Sequence, residues 1–152
     1  MLILVMGVRG AGKTPLAQEL SRVLGYDFLD TSDLYSDEIK SSFVNGQAIS
    51  DEVRAKFLRD VYSKCYDALF GERNMVISCP ALRESDRRFI LREGGKYEVI
   101  LLEGTTAQDN LGYQLGELEI PSSAIRIKAG LPLAVQLDIA INNLRLEGKF
   151  AA

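Results

Sequence analysis

The chain has 152 residues, 47% hydrophobic and 26% charged, an ordinary globular mixture long enough to bury one continuous core. Lys and Arg number 18 against 21 Asp and Glu, and a net charge of −3 argues against a broad nucleic-acid-binding surface, because phosphate backbones are held by clustered cations. With no histidine and 2 cysteines, Cys65 and Cys79, neither a His/Cys zinc centre nor a disulfide scaffold is expected; two thiols suit a reducing cytoplasm, and a single bridge stays open.

Residues 2–6 are a continuous apolar run before a glycine-rich turn, the pattern of a strand buried on both faces. The run has no basic flank and stops at Gly7, too soon for a signal peptide, and no apolar stretch reaches the ~20 residues of a spanning helix, so no membrane partner is expected. Residues 15–24 predict a helix, with Leu16, Leu20, Val23 and Leu24 on one stripe and Gly25 as its stop. A second strand is expected over 26–30 and a short, irregular helix over 33–44, closed by Asn45-Gly46. Ser50-Asp-Glu opens a long helix to Phe70, on which Tyr62, Tyr66 and Phe70 read as one core-facing stripe. A strand over 75–78, a helix over 83–93, strands over 98–102 and 124–128, and a helix over 131–146 complete the series. Strict alternation predicts parallel pairing through right-handed crossovers: a three-layer α/β domain spanning 1–152, with a five-stranded parallel sheet. The exception is residues 105–123, polar and without clear periodicity, longer than most connections in a compact domain.

One motif carries chemistry. Gly7-Val8-Arg9-Gly10-Ala11-Gly12-Lys13-Thr14 fits G-x-x-x-x-G-K-[ST] between a predicted strand and a predicted helix, the context that a P-loop requires. Its glycines let the backbone of Gly7, Arg9, Gly10, Ala11 and Gly12 curl so that N–H groups converge on phosphate oxygens at a helix N-terminus. Lys13 is placed to reach the outer phosphates of a nucleoside triphosphate and Thr14 to ligate Mg²⁺, while Pro15 suits a first helical turn. Asp30 must emerge at the carboxyl end of strand two, where ligands of open parallel sheets bind; it either serves metal and hydroxyl there or caps the following turn, and Asp33 has the same two readings. Arg54, Arg83 and Arg87 are either a solvated helix face with nearby Glu52, Glu84 and Asp86, or anion-binding forks. Cys79, with no histidine to activate it, reads as a buried inert thiol.

Residues 1 to about 104 resemble the gluconokinases, within the shikimate-kinase-like P-loop kinases (a nucleoside-monophosphate-kinase-like fold). The likeness rests on MGVRGAGKT, FLD at 28–30, GQAISDEVR at 46–54 and CPALRESDRRFILR at 79–92, against family patterns near GVSGSGKS, F-x-D-G-D, G-x-P-L-x-D-x-D-R and C-S-A-L-K-x-x-Y-R-x-x-L-R. The resemblance implies ATP- and Mg²⁺-dependent phosphoryl transfer to a hydroxyl of a small polar metabolite, gluconate first among them. It implies that Lys13, Asp30 and Asp33 are catalytic, that Thr14 and Asp30 serve the metal, and that Arg54, Arg83 and Arg87 hold the acceptor. The family's second acidic position falls on Ser32, with Asp33 one residue later as its substitute; Tyr35-Ser36 replaces the usual His-Pro. Near the end, Ala124 to Leu133 is similar to the family's last strand and the turn bordering adenine, which implies that Pro132 flanks the base. Beyond Gly104 the likeness breaks: no Lys or Arg occurs between Tyr97 and Ile125, where these kinases carry lid arginines, so residues 105–123 read as a shortened lid region. Arg9, Arg126, Lys128 or an arginine from another subunit is left to compensate. The alternative reading is a nucleotide-binding protein of kinase ancestry that no longer transfers phosphate.

Overall fold

The computed structural model describes residues 1–81, 83–104 and 117–144, the side chain of Phe43 excepted. Five strands, β1 (Leu2–Met6), β2 (Asp27–Asp30), β3 (Met75–Ser78), β4 (Tyr97–Glu103) and β5 (Ile125–Lys128), form one parallel sheet in the order β2-β3-β1-β4-β5. β1 is central because all five of its side chains are apolar and both its faces are covered. Leu2, Leu4 and Met6 point to a cluster built with Phe57, Leu58, Val61, Cys65 and Leu69 of α3 (Asp51–Phe70) and Ile90 of α4 (Glu84–Leu91). Ile3 and Val5 point to the opposite cluster, built with Leu16, Leu20 and Leu24 of α1 (Lys13–Leu24) and Ala140 of α5 (Leu133–Asn143). Each fully buried Leu or Ile contributes about 1.5–3 kcal/mol relative to exposure, so the two faces together hold the three layers.

The sheet reverses direction of winding at β1, with β3 on one side and β4 on the other. That is the crevice where doubly wound sheets bind ligands, and the glycine-rich turn leaves β1 into it. α1 starts at Lys13, two residues before the expected helix, so the motif's Lys and Thr lie in the first helical turn.

Two expectations need correction. The segment expected as one irregular helix over 33–44 is two elements, a 3-10 turn (Thr31–Leu34) and α2 (Asp37–Asn45). Side-chain caps split it: Asp30 accepts from the Ser32 N–H, and Ser36 accepts from the Ile39 N–H at 3.3 Å. Of the aromatic stripe on α3 only Tyr62 packs against the core; Tyr66 and Phe70 do not. Four-residue steps drift by about 40° per step around a helix, and the stripe leaves the buried line of Val61, Cys65, Ala68 and Leu69. Tyr66 is 51% exposed and Phe70 43%, while Arg92 covers the rings of Tyr62 and Phe89 at 4.1 and 4.5 Å.

Among the described residues no helix is long and apolar enough to cross a membrane. Cys65 and Cys79 are unpaired and buried; burial pushes their thiols up to about 12 and about 11, so both are protonated at neutral pH.

Candidate active site

Gly7 to Thr14 wraps around the start of α1. The Ala11 N–H donates to the Val8 carbonyl at 3.1 Å, closing the loop, and the Lys13 Nζ donates to the same carbonyl at 3.1 Å. Gly10 and Gly12 take φ of 81° and 91°, a backbone region that side chains rarely adopt. Gly7 is needed for space: a Cβ there would lie 3.0 Å from the Leu102 carbonyl oxygen and 3.1 Å from the Ala11 Cβ. Gly7→Ala is therefore expected to lower stability by about 1–3 kcal/mol, read as a shift of the urea midpoint at unchanged slope, because strand β4 and the loop must both yield.

Burial pulls the Lys13 ammonium below its ordinary pKa, only partly opposed by nearby acidic groups including Asp30. A desolvated cation resting on a lone carbonyl gains strongly when an anion enters. Next to it the Thr14 hydroxyl donates to Asp30 Oδ2 at 2.9 Å. The other oxygen, Oδ1, accepts from the Ser32 N–H at 3.0 Å and the Ser32 hydroxyl at 2.7 Å. Burial alone would raise the Asp30 pKa, but the hydrogen bonds from Ser32 and Thr14 outweigh it and hold the carboxyl below its usual range. Asp30 thus both caps the 3-10 turn and meets the loop. Thr31 fixes this corner by donating from its hydroxyl to the Ser78 carbonyl at 2.8 Å. Thr14 and Asp30 offer hard oxygens side by side, a donor set suited to a small divalent cation that keeps water and phosphate as its remaining ligands. No group of three or more His, Cys, Asp or Glu able to hold a metal ion occurs among the described residues.

The arginines lie on the α3/α4 side of the same sheet end. Cys79, just past β3, is buried in the core cluster shared with α3 and α4. Arg54 Nη1 donates to Asp86 Oδ2 at 2.7 Å, and its Nη2 donates to both oxygens of Glu117 at 3.2 and 3.4 Å. Arg83 donates to the same Glu117 oxygen. Arg87 is 4% exposed and donates to the backbone carbonyls of Ala81 (2.8 Å) and Glu119, tying the loop before α4 to the segment before β5. The three arginines are therefore not a solvated face.

Asp33 is exposed on the 3-10 turn, and Arg9 is exposed on the loop. Pro132 stands at the N-terminus of α5, just past β5, where its carbonyl accepts from the N–H groups of Val135 and Gln136. Arg126 pairs with Glu103 at 2.6 Å and Lys128 is exposed. Of the expected shortened lid region, residues 105–116 lie outside the described residues, while Leu118 packs on the core. Sequence reading named Asp86 among the acidic neighbours of the arginines, and Arg54 does pair with it, but it missed Glu117. Glu117 is 63 positions away from Arg54, and no local pattern marks such a pair. Ser32 carried a legible signal, the Asp-x-Ser spacing of a turn in which the first side chain accepts from the third residue.

Comparison with known proteins adds an independent line. A family model described as shikimate kinase matches residues 9–108. The gluconokinase of Arabidopsis thaliana is 33% identical over 59% of this chain and 47% of its own length. The chain spans about half the length of curated relatives that it matches. Among solved structures, a gluconokinase from Sinorhizobium meliloti 1021 superposes with a TM-score of 0.79 at 24% identity, over 92% of this chain and 89% of that one. A sugar kinase from Janibacter sp. HTCC2649, solved without ligand, gives 0.81 at 25% identity, over 93% and 92%.

Proposed function

The chain belongs to the shikimate kinase family, and from that premise we propose that it transfers the γ-phosphoryl group of ATP to a hydroxyl of a small polar acceptor, gluconate in the first place. The observation that carries the reading is the contact between Thr14 and Asp30 beside a half-buried Lys13, since it joins a phosphate cradle to a carboxylate at the sheet's crevice. The gluconokinase relatives favour the acceptor class.

In this reading ATP lies with its phosphates in the loop of Gly7, Arg9, Gly10, Ala11 and Gly12, and its base against Pro132. Lys13 exchanges the Val8 carbonyl for phosphate oxygens. Thr14 and Asp30 would hold Mg²⁺, which when bound would supply neutralising charge to the phosphate oxygens. Phosphoryl transfer asks the protein chiefly for alignment and cationic stabilisation, and Lys13 with the loop N–H groups supplies both. Asp30, ionised at neutral pH, is placed to take the proton leaving the acceptor hydroxyl, and exposed Asp33 to contact the acceptor from the same turn. Arg54 and Arg83 hold the acceptor's anionic end, and Arg87 positions the loop that presents Arg83. Arg9 is the cation of the loop itself, the nearest stand-in for lid arginines. We propose that the whole of residues 1–152 works as a single domain.

The test is Mg·ATP-dependent ADP release with gluconate heading a panel of sugar acids and sugars. Gluconate-stimulated release is expected, and Arg54→Ala is expected to raise the gluconate KM by about tenfold to a hundredfold with a smaller effect on kcat. Release that no acceptor stimulates, with ATP still bound, would leave a nucleotide-binding protein without transfer.

A further inference from the structure

The acceptor fork is already holding a carboxylate. Arg54 is fixed by Asp86 through Nη1 at 2.7 Å, which leaves its Nε and Nη2 edge facing away from Asp86. Glu117 meets only half of that edge: both its oxygens take Nη2, at 3.2 and 3.4 Å, and Nε is buried without an acceptor among the described residues. The side chains of Arg54 and Glu117 are 15% and 16% exposed, so water does not freely complete the pattern. A guanidinium edge matches a carboxylate best when each of its two N–H groups meets one oxygen, and a buried unmatched N–H is unfavourable. Arg83 pairs with the same Glu117 through Oε1, which Arg54 also meets, and at 37% exposed it is able to follow a ligand.

We propose that Glu117 is a specificity-determining residue that fills, as an internal stand-in, the seat for the acceptor's carboxylate on Arg54 and Arg83. Resting on the acceptor reading above, the assignment adds a charge rule. Within the ion-paired set of Arg54, Arg83, Asp86 and Glu117 the charges balance to zero, and without Glu117 that set carries one uncompensated positive charge. A monocarboxylate restores the balance by exchanging places with Glu117, whereas an uncharged polyol has nothing to offer in exchange and a dianion overcompensates. The occupant is thus a hydroxy monocarboxylate, seated by both Nε and Nη2 of Arg54, with the Glu117 side chain released towards solvent.

Isothermal titration of wild type, Glu117→Gln and Glu117→Ala with gluconate, and with the corresponding uncharged alditol, tests this. Glu117→Gln keeps the volume and one acceptor oxygen, so it reports even if the smaller side chain loosens the loop. Both variants are expected to bind gluconate about tenfold more tightly, with alditol affinity changed by less than about twofold. Gluconate binding that is unchanged, weakened or absent in both variants, or an equal gain for the alditol, would overturn the assignment. ADP release by the wild type separates the two readings. Tighter gluconate binding by the variants without any turnover leaves Glu117 assigned and removes phosphoryl transfer; turnover with unaltered affinities does the reverse.

Discussion

Lys13→Met is expected to lower acceptor-dependent ADP release by about 10³-fold, close to 4 kcal/mol of transition-state stabilisation, while leaving the apo protein folded. The half-buried ammonium rests on one carbonyl, that of Val8, and its partial removal from water lowers its pKa. In the apo state it is a charge held partly away from water for one hydrogen bond, so its replacement by an isosteric apolar side chain is expected to leave the melting temperature unchanged or raise it. The linkage has a definite sign. A lysine whose folded pKa lies below its unfolded value makes the wild type more stable as pH rises towards 10.5, because the unfolded chain holds the extra proton. The stability gap between variant and wild type should therefore narrow with rising pH. With Mg·ATP at about a hundred times Kd the wild type gains about 2.7 kcal/mol, and the variant is expected to gain almost none. Thermal melts with and without nucleotide, across pH, read all three effects.

Asp30→Asn carries the second large effect, a loss of about 10²–10⁴-fold in kcat, because the substitution weakens the metal contact and removes the base at once. Retained Thr14 and Lys13 should keep ATP binding within about tenfold, so the loss falls on turnover. Here too the linkage is signed. The Asp30 pKa is held below its ordinary value, so its contribution to stability is present above the usual carboxylate range near 3.9. That contribution disappears as pH falls through the lowered folded value, and the difference between wild type and Asp30→Asn should close in strong acid. A difference that instead grew on acidification would mean that Ser32 and Thr14 do not favour the ionised carboxylate.

What was legible in the sequence follows from what is local. β1 reads directly, since five consecutive apolar residues before Gly7 leave few alternatives to a central parallel strand. The loop and α1 read as well, because motif, strand and helix support one another within 24 residues. The split between the 3-10 turn and α2 was hidden, as two side-chain caps, Asp30 and Ser36, decide it and either could have capped a single helix. The aromatic ladder of α3 was misread beyond its first rung, because each four-residue step turns about 40° further round the helix, so Tyr62 packs on the core while Tyr66 and Phe70 turn out of it. The site divides in the same way. Lys13, Thr14 and Asp30 are placed by consecutive elements, whereas the Arg54–Asp86–Glu117–Arg83 cluster joins α3, α4 and the segment before β5, a conjunction that appears only once the sheet order is known.

The central claim is that a phosphoryl group passes from ATP to an acceptor hydroxyl through the Lys13, Thr14 and Asp30 site. Phosphorus NMR of an incubation with Mg·ATP and gluconate tests it most directly. The expected spectrum shows a phosphomonoester of gluconate growing in step with ADP in the wild type and absent with Lys13→Met. ADP accompanied by inorganic phosphate alone, or ATP that stays bound and unchanged with every hydroxy acid offered, would contradict it.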